Sequence, residues 1–459
     1  MQRESILFDV DSYKVSHFKQ YPPGTAYVSS YIESRGGRWD KTVFFGLQMF
    51  LKDVMSKPIT MEDIDEAEAF YPSHGLPFNR AGWEHILRQH NGYLPVIIEA
   101  VQEGTVVPTG NVLLQLQNTD PMVPWLTSYV ETALLRAIWY PTTVATNSWM
   151  IKQDIKARLA YTGCDVDANI GFMLNDFGSR GATSYESSVI GGIAHLVNFV
   201  GTDNVPAVRH ARRYYSEPMA GFSIPAAEHS TITTWEKEVD AFENMLDQFN
   251  GEGKMVAVVS DSYNIYDACK ELWGKKLKDK VMNGGGRVVI RPDSGNPLNV
   301  PVECVSLLMD AFGYTTNEAG FRVLPPYIRV IQGDGVDQDS INGIMKHLID
   351  RGHAIENVCF GMGGALLQQV NRDTQMFAQK ASAIQINGHW HDVFKKPIGD
   401  IGKISKRGVL SLIENDDGTL ETVRHLDAVG KKKVLTRVYK NGKILSTQNL
   451  SQIRANSEK

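Results

Sequence analysis

Four short apolar runs each stop in a burst of polar and glycine residues. Met255–Val259 leads into Ser260-Asp261-Ser262, and Val288–Ile290 into Arg291-Pro292-Asp293-Ser294-Gly295. Tyr327–Ile331 leads into Gln332-Gly333-Asp334-Gly335, and Asn357–Phe360 into Gly361-Met362-Gly363-Gly364. Runs this short and this rich in Val and Ile suit parallel strands buried on both faces. They recur at roughly the length of one strand–helix unit, ~30–40 residues. In a β/α barrel the carboxyl ends of such strands carry the chemistry. Asp, Arg and Gly recur at those ends, which points to a phosphorylated, polyhydroxylated substrate.

The 459 residues accommodate a barrel of about 250 residues and an accessory domain. A net charge of −5 argues against a nucleic-acid binder. Lys431-Lys432-Lys433, the nearest thing to a basic run, reads as a solvated turn. Cys164, Cys269, Cys304 and Cys359 are scattered and form no CxxC pair. Buried thiols and a reducing cytoplasm are expected. Met1–Asp11 lacks the apolar core of a signal peptide, and no apolar run approaches the ~20 residues of a membrane span.

Residues 1–150 read as a mixed segment. Thr42–Val54 suggests a strand entering a helix, Met61–Tyr71 a helix capped by Thr60, and Leu94–Asn118 a β-meander. Leu126–Trp139 and Ser148–Tyr161 have helical spacing. The barrel pattern occupies 151–383. A strand at Phe172–Leu174 runs into Asn175-Asp176-Phe177-Gly178-Ser179-Arg180-Gly181, and one at Phe222–Ile224 runs into Pro225–Ser230. Helices are expected at Tyr185–Leu196, Tyr263–Trp273, Val300–Phe312, Asp339–Gly352 and Ala365–Thr374. Six strand-then-polar units leave at least two barrel strands unassigned, with weak signals near 199–201 and 141–144. Residues 384–459 return to β, with hairpins at Asp416-Asp417-Gly418 and Asn441-Gly442. The expected fold is α/β: an irregular β/α barrel with an accessory β-rich domain drawn from both terminal segments.

Gly361-Met362-Gly363-Gly364 between a strand and a helix is either a phosphate cradle or a tight turn. In Arg291–Pro297 a cation and an acid share a strand end. They either meet anionic oxygens, sugar hydroxyls and Mg²⁺, or pair with each other and shape the loop. Asp261 and Asp334 recur at equivalent ends. His229 is placed for phosphate contact or proton transfer, although a lone histidine is more often structural. His389-x-His391 lies in a β segment without carboxylates and reads as non-metal. No HExxH, GxSxG or GxxxxGK[ST] occurs.

Longer motifs resemble the nicotinamide phosphoribosyltransferase family. They are Asp11–Val15 with His17 and Lys19–Pro23, the Asp176–Gly181 loop, AHLVNFVGTD at Ala194–Asp203 and PAAEHSTIT at Pro225–Thr233. VVSDSYNIYDAC, IRPDSGNPL and LPPYIRVIQGDGVD complete the set. The similarity runs from about residue 6 to the last hairpin. It implies transfer of phosphoribosyl from phosphoribosyl pyrophosphate to nicotinamide, giving nicotinamide mononucleotide and pyrophosphate with Mg²⁺, within NAD salvage in the cytoplasm.

By resemblance, Phe177 and Tyr13 sandwich the pyridine ring, with Tyr13 supplied by the second subunit of a homodimer. Asp203 accepts from the carboxamide and repels nicotinate. Arg180, His229 and Arg291 form the pyrophosphate-side cluster, and the histidine takes a phosphoryl group from ATP, an optional co-substrate. Asp293 and Asp334 stand near the ribose hydroxyls, and Asp261 on the Mg²⁺–diphosphate side, so Asp261 and Asp293 are the metal candidates. Arg329, Gly333, Gly363 and Gly364 line the phosphate region. Asp11 joins the substrate-binding set. Arg35, Arg372, Lys380 and Lys395 form a basic set, several of which reach phosphates across the dimer. Two departures stand out: Ala257 and Met362 occupy positions where the animal enzymes carry serines. A shorter segment between Glu33 and Thr42, and a shorter C-terminus, suggest a bacterial or phage form. The alternatives are a nicotinate phosphoribosyltransferase, disfavoured by Asp203, and a non-catalytic binding protein on the same scaffold.

Overall fold

The computed structural model describes residues 5–396 and 404–459. Its chain divides into two compact units. One comprises Met1–Thr146, Ala211–Glu217 and Val370–Lys459, the other Asn147–His210 and Pro218–Gln369.

The first unit is built on a seven-stranded antiparallel sheet. Its order is His389–Asp392, Phe377–Ile386, Thr25–Ser34, Val112–Asn118, Val96–Ala100, Thr436–Lys440 and Lys443–Ile444. Terminal segments far apart in sequence thus share one sheet: Tyr31 pairs with Lys380, and Ile98 pairs with both Leu116 and Tyr439. Val96, Ile98 and Ala100 are buried while Ile97 and Glu99 are half-buried, the period of two expected of a strand with one core face. Asn441 and Gly442 both have positive φ, as a two-residue hairpin requires. Thr60 caps the helix Met61–Ser73 through a reciprocal pair of hydrogen bonds with Asp63.

The second unit holds a parallel sheet of six strands among the described residues. The order is Gly201–Thr202, Leu174–Asp176, Val358–Met362, Ile328–Gln332, Arg287–Arg291 and Met255–Val259. Residues 222–227 carry the ring from one edge to the other. Phe222 N–H donates to the Val200 carbonyl, and Ala227 N–H donates to the Ala257 carbonyl, each beside an isolated parallel bridge. This is the irregular β/α barrel that the apolar runs imply. Ala257, Val289 and Ile331 form a small inner cluster, with Phe177, Ile224 and Cys359 packed against it. Cys269 and Cys304 are buried and free.

Several expectations fail locally, and the strand expected at Phe172–Leu174 begins only at Leu174, after a 3-10 turn over Ile170–Phe172. Residues 141–144 are not a strand but lie inside the helix Glu131–Tyr161, which also fuses the two helices expected there. The β-branched side chains are tolerated because their hydroxyls find partners: Thr143 Oγ1 donates to the Trp139 carbonyl, and Thr142 Oγ1 donates to that of Phe45. Phe222–Ile224 contributes a bridge rather than a strand. The helix expected over Ala365–Thr374 stops at Leu367. Asn371 then accepts from the amides of Asp373 and Thr374 and starts a separate turn, Arg372–Gln375. No helix among the described residues is long and apolar enough to cross a membrane.

Candidate active site

The carboxyl ends of the barrel strands converge on the ring of Phe177. Its N–H donates to the Met362 carbonyl at 3.0 Å, which ties the Asp176–Gly181 loop to the neighbouring strand. The ring lies close against backbone that lacks side chains. A Cβ at Gly361 would sit 1.9 Å from Phe177 Cε2, and one at Gly333 would sit 3.3 Å away. Both glycines are therefore seats for an aromatic ring. The Arg291 guanidinium stands 5.9 Å from the ring centroid. Together these groups place an aromatic ring over two glycines with a cation beside it.

The next strand ends assemble a charged hub. Ser260 extends the pairing of Met255–Val259 by donating its N–H to the Arg291 carbonyl, and its hydroxyl accepts from the indole of buried Trp273. This launches Asp261, whose side chain is only 2 % exposed. Asp261 Oδ1 lies 3.0 Å from His229 Nε2. Its Oδ2 accepts from the Asp293 amide at 2.9 Å and from Ser294 Oγ at 2.5 Å. Burial pushes the Asp261 carboxyl up, but the bonds from Ser294, the Asp293 amide and His229 outweigh it and hold it below the usual carboxylate range. Arg291 donates through Nε and Nη2 to Asp293 Oδ1, at 3.1 and 2.6 Å. The internal Arg–Asp pair considered from sequence is therefore present, and it leaves Asp293 Oδ2 3.9 Å from His229 Nδ1.

Asp203 follows the short strand Gly201–Thr202 and is exposed. Its N–H donates to the Asp176 carbonyl at 3.0 Å, and its Oδ1 accepts from Ser223 Oγ at 2.5 Å. The Asp176 side chain is fully covered. It accepts from the Gly178 amide at 2.7 Å and from Asn204 Nδ2 at 3.0 Å. Burial pushes the Asp176 carboxyl up to about 6 against these two bonds, and the Asp203 charge adds to the rise. A raised carboxyl works against folding as pH climbs from its ordinary value to its folded one. Asp176 therefore costs stability that builds from about pH 3.8 to about pH 6 and is fully present above it, while the side chain holds the Phe177 and Asp203 loops.

The remaining residues of the barrel unit are less convergent. Arg180, Asp334 and Gly364 are exposed at strand-end loops, and Gly363 is half-buried. A Cβ on Gly364 would meet open space, so its surroundings admit a ligand. The helix that follows spans only Gly364–Leu367 and has little dipole to offer. Arg329 is not brought to this cluster. It sits near the amino end of its strand and donates to the carbonyls of Leu324, Pro325 and Ile328, where it fixes the loop entering the strand.

In the sheet unit, Asp11 pairs with Thr132 through its amide and its carboxylate, and Tyr13 is 59 % exposed. Arg35 bonds Glu33 at 2.8 Å, while its Nη2 is buried without a partner. Burial lowers the Lys380 ammonium below its ordinary value. Glu131 opposes this, and Arg35, Lys395 and Lys14 add to the lowering. Lys14, Arg35 and Lys395 are thus the cations felt by Lys380, and Lys14 itself bonds Glu131 at 2.7 Å. Arg372 stands apart on an exposed turn, paired with Asp373. Sequence reasoning did not single out Lys14, Asp176, Asn204, Ser223 or Ser294 as site residues, and it read Gly361 as part of a phosphate cradle or a tight turn. Ser294, Asp176 and Lys14 lay inside the quoted motifs; Ser223 and Asn204 carried no signal of their own.

Comparison with known proteins adds an independent line. A model of the nicotinate phosphoribosyltransferase family matches residues 172–443, and one of the nicotinamide phosphoribosyltransferase N-terminal domain matches residues 5–98. The nicotinamide phosphoribosyltransferase of Xanthomonas campestris is 50% identical, covering 99% of this chain and 98% of that protein. Its Acinetobacter baylyi counterpart is 32% identical, covering 98% and 97%. Among solved structures, a nicotinate-nucleotide pyrophosphorylase from Pyrococcus furiosus aligns with a TM-score of 0.62 at 16% identity, covering 99% of this chain and 95% of its own. Human nicotinic acid phosphoribosyltransferase aligns at 0.52 and 16%, covering 98% and 92%. At that identity these two speak to the fold alone.

Proposed function

This chain belongs to the nicotinamide phosphoribosyltransferases, within the wider nicotinate phosphoribosyltransferase family, and from that premise we propose how its residues divide the reaction. Nicotinamide and phosphoribosyl pyrophosphate give nicotinamide mononucleotide and pyrophosphate, a step of NAD synthesis. The pyridine nitrogen attacks the anomeric carbon as pyrophosphate leaves, so the protein has charge and position to supply rather than covalent chemistry.

The observation that carries this reading is the Phe177 ring laid over Gly333 and Gly361, with Asp203 anchored to the adjoining Asp176 backbone. The pyridine stacks on Phe177 and its carboxamide N–H₂ donates to Asp203, which repels a nicotinate carboxylate. Tyr13 of a second subunit closes the other face, and its exposure suits that role. Arg180, His229 and Arg291 meet the pyrophosphate, while Asp293 and Asp334 meet the ribose hydroxyls. The buried, unpartnered Nη2 of Arg35 and the basic group around Lys380 suit phosphate oxygens supplied across a homodimer.

The donor set near His229 consists of carboxylate oxygens, which fits Mg²⁺. Asp293 and, through its remaining lone pairs, Asp261 would hold the ion; bound there, it neutralises charge building on the leaving diphosphate. His229 donates Nε2–H to Asp261, which leaves the Nδ1 lone pair to take a phosphoryl group from ATP, with ADP as the leaving group.

The test is product formation from phosphoribosyl pyrophosphate and Mg²⁺ with either base in parallel. Nicotinamide mononucleotide from nicotinamide alone is expected. Product from nicotinate alone would overturn the role of Asp203, and no product from either would favour a non-catalytic binder. Asp203→Asn is expected to shrink the preference for nicotinamide at least tenfold; an unchanged ratio of kcat/KM values refutes the assignment. His229→Ala should retain some turnover and lose all stimulation by ATP. Full stimulation in that variant removes the phosphoryl-acceptor role.

A further inference from the structure

A second cluster of ionisable side chains lies in the sheet unit, outside the residues assigned to the reaction. His85 and His90 belong to the helix Arg80–His90, and Asp120 follows the strand Val112–Asn118. Both imidazoles direct Nε2 at one oxygen, Asp120 Oδ2, at 2.7 and 2.6 Å. The three atoms lie within 4.8 Å of one another. We propose that His85, His90 and Asp120 form a binding site for one Zn²⁺-type divalent cation.

The donor types are those that Zn²⁺ takes, two imidazole nitrogens and one carboxylate oxygen. Around a tetrahedral ion with bonds of about 2.1 Å, neighbouring donors stand roughly 3.4 Å apart. Each imidazole has to withdraw from Asp120 by roughly 0.7–0.8 Å, a movement within reach of side-chain torsions. The remaining coordination position faces solvent, since the side chains are 29, 21 and 13 % exposed in the order His85, His90, Asp120, and water fills it.

The surroundings hold the donors in place. Asp120 Oδ1 accepts from the Met122 amide at 2.8 Å, and the Asp120 carbonyl accepts from Asn118 Nδ2 at 2.7 Å. Asn118 is itself tied to Ala26 and Val28 of the central strand. The helix bearing the histidines is fastened by buried Trp83, packed edge-on against Trp125 and Tyr129. Outer contacts of this kind orient metal ligands and raise affinity. Without the ion, both Nε2 atoms must donate to the shared oxygen. With it, both supply lone pairs and carry their protons on Nδ1. The ion would pin the end of the helix to the turn at Asp120, a stabilising role distinct from the transfer reaction.

The full chain, stripped with chelator and equilibrated with Zn²⁺ alone, tests this. Wild type is expected to bind at least one ion per chain at micromolar free Zn²⁺, and to melt at higher temperature with it. His85→Gln and His90→Gln should each bind one ion fewer, or bind it at least a hundredfold more weakly. Equal stoichiometry and affinity in wild type and both variants would overturn the proposal, as would no binding by wild type. Should the variants fold poorly, anomalous diffraction from Zn²⁺-soaked wild-type crystals decides. A peak between the three side chains supports the site, and peaks only elsewhere refute it.

Discussion

Gly361→Ala is expected to lower kcat/KM for nicotinamide by ~10²-fold, about 3 kcal/mol at the transition state, while the protein stays folded. The added methyl would lie 1.9 Å from Phe177 Cε2 and 2.2 Å from Cδ2, too close for any rearrangement that leaves the ring where it is. The strand itself is held on both sides, by Ile328–Gln332 and by Leu174–Asp176, so the ring must yield. Under the proposed stacking on Phe177, the pyridine then loses its floor. A double-mutant cycle separates this from a general packing defect: Phe177→Ala with Gly361→Ala should be no worse than Phe177→Ala alone. Activity of Gly361→Ala within twofold of wild type would show that the ring position does not matter.

Asp261→Ala should cost more, ~10³-fold in kcat/KM, about 4 kcal/mol. One carboxylate organises three groups: His229, the Asp293 amide and the Ser294 hydroxyl. Its removal frees the imidazole and leaves an amide and a hydroxyl without their acceptor, each costing ~1–3 kcal/mol where water cannot replace it. Steady-state kinetics paired with thermal melting distinguish a lost hub from a lost fold. Asp261→Asn should be milder, because an amide oxygen still accepts on one side. Turnover within threefold of wild type in the alanine variant would remove Asp261 from the machinery. The pH dependence has a defined sign. The folded carboxyl lies below its ordinary value of 3.8, so its stabilising contribution is complete above that value. It is lost only as pH falls through the depressed folded one.

Much of the barrel was legible because its strands are short apolar runs with their polar residues crowded at one end. Val288–Ile290 and Asn357–Phe360 announce themselves by composition, and Asn441-Gly442 announces a hairpin by the backbone angles it tolerates. Segments whose local preference is overruled were not legible. Thr142 and Thr143 favour a strand, yet they sit in a helix because their hydroxyls bond the Phe45 and Trp139 carbonyls. Residues 222–227 close the ring through hydrogen bonds to strands on either side, and no local pattern reports such partners. Arg329 carried the charge expected of a phosphate ligand. Its position one residue into a strand puts it at the wrong end of the barrel.

The sequence by itself determined the strand–helix rhythm, the strand ends where charge collects, and the motifs shared with the family. Those follow from local composition and from residues that are contiguous in the chain. Only the tertiary structure decided which charges meet. Arg291 is held by Asp293, Asp261 gathers donors from two separate loops, and the charges of Lys14, Arg35 and Lys395 bear on the Lys380 ammonium. It also decided that Gly361 is a seat for Phe177 rather than a bend in a phosphate loop. Such facts depend on distances across the fold between residues up to hundreds of positions apart, and only packing and pairing set those distances.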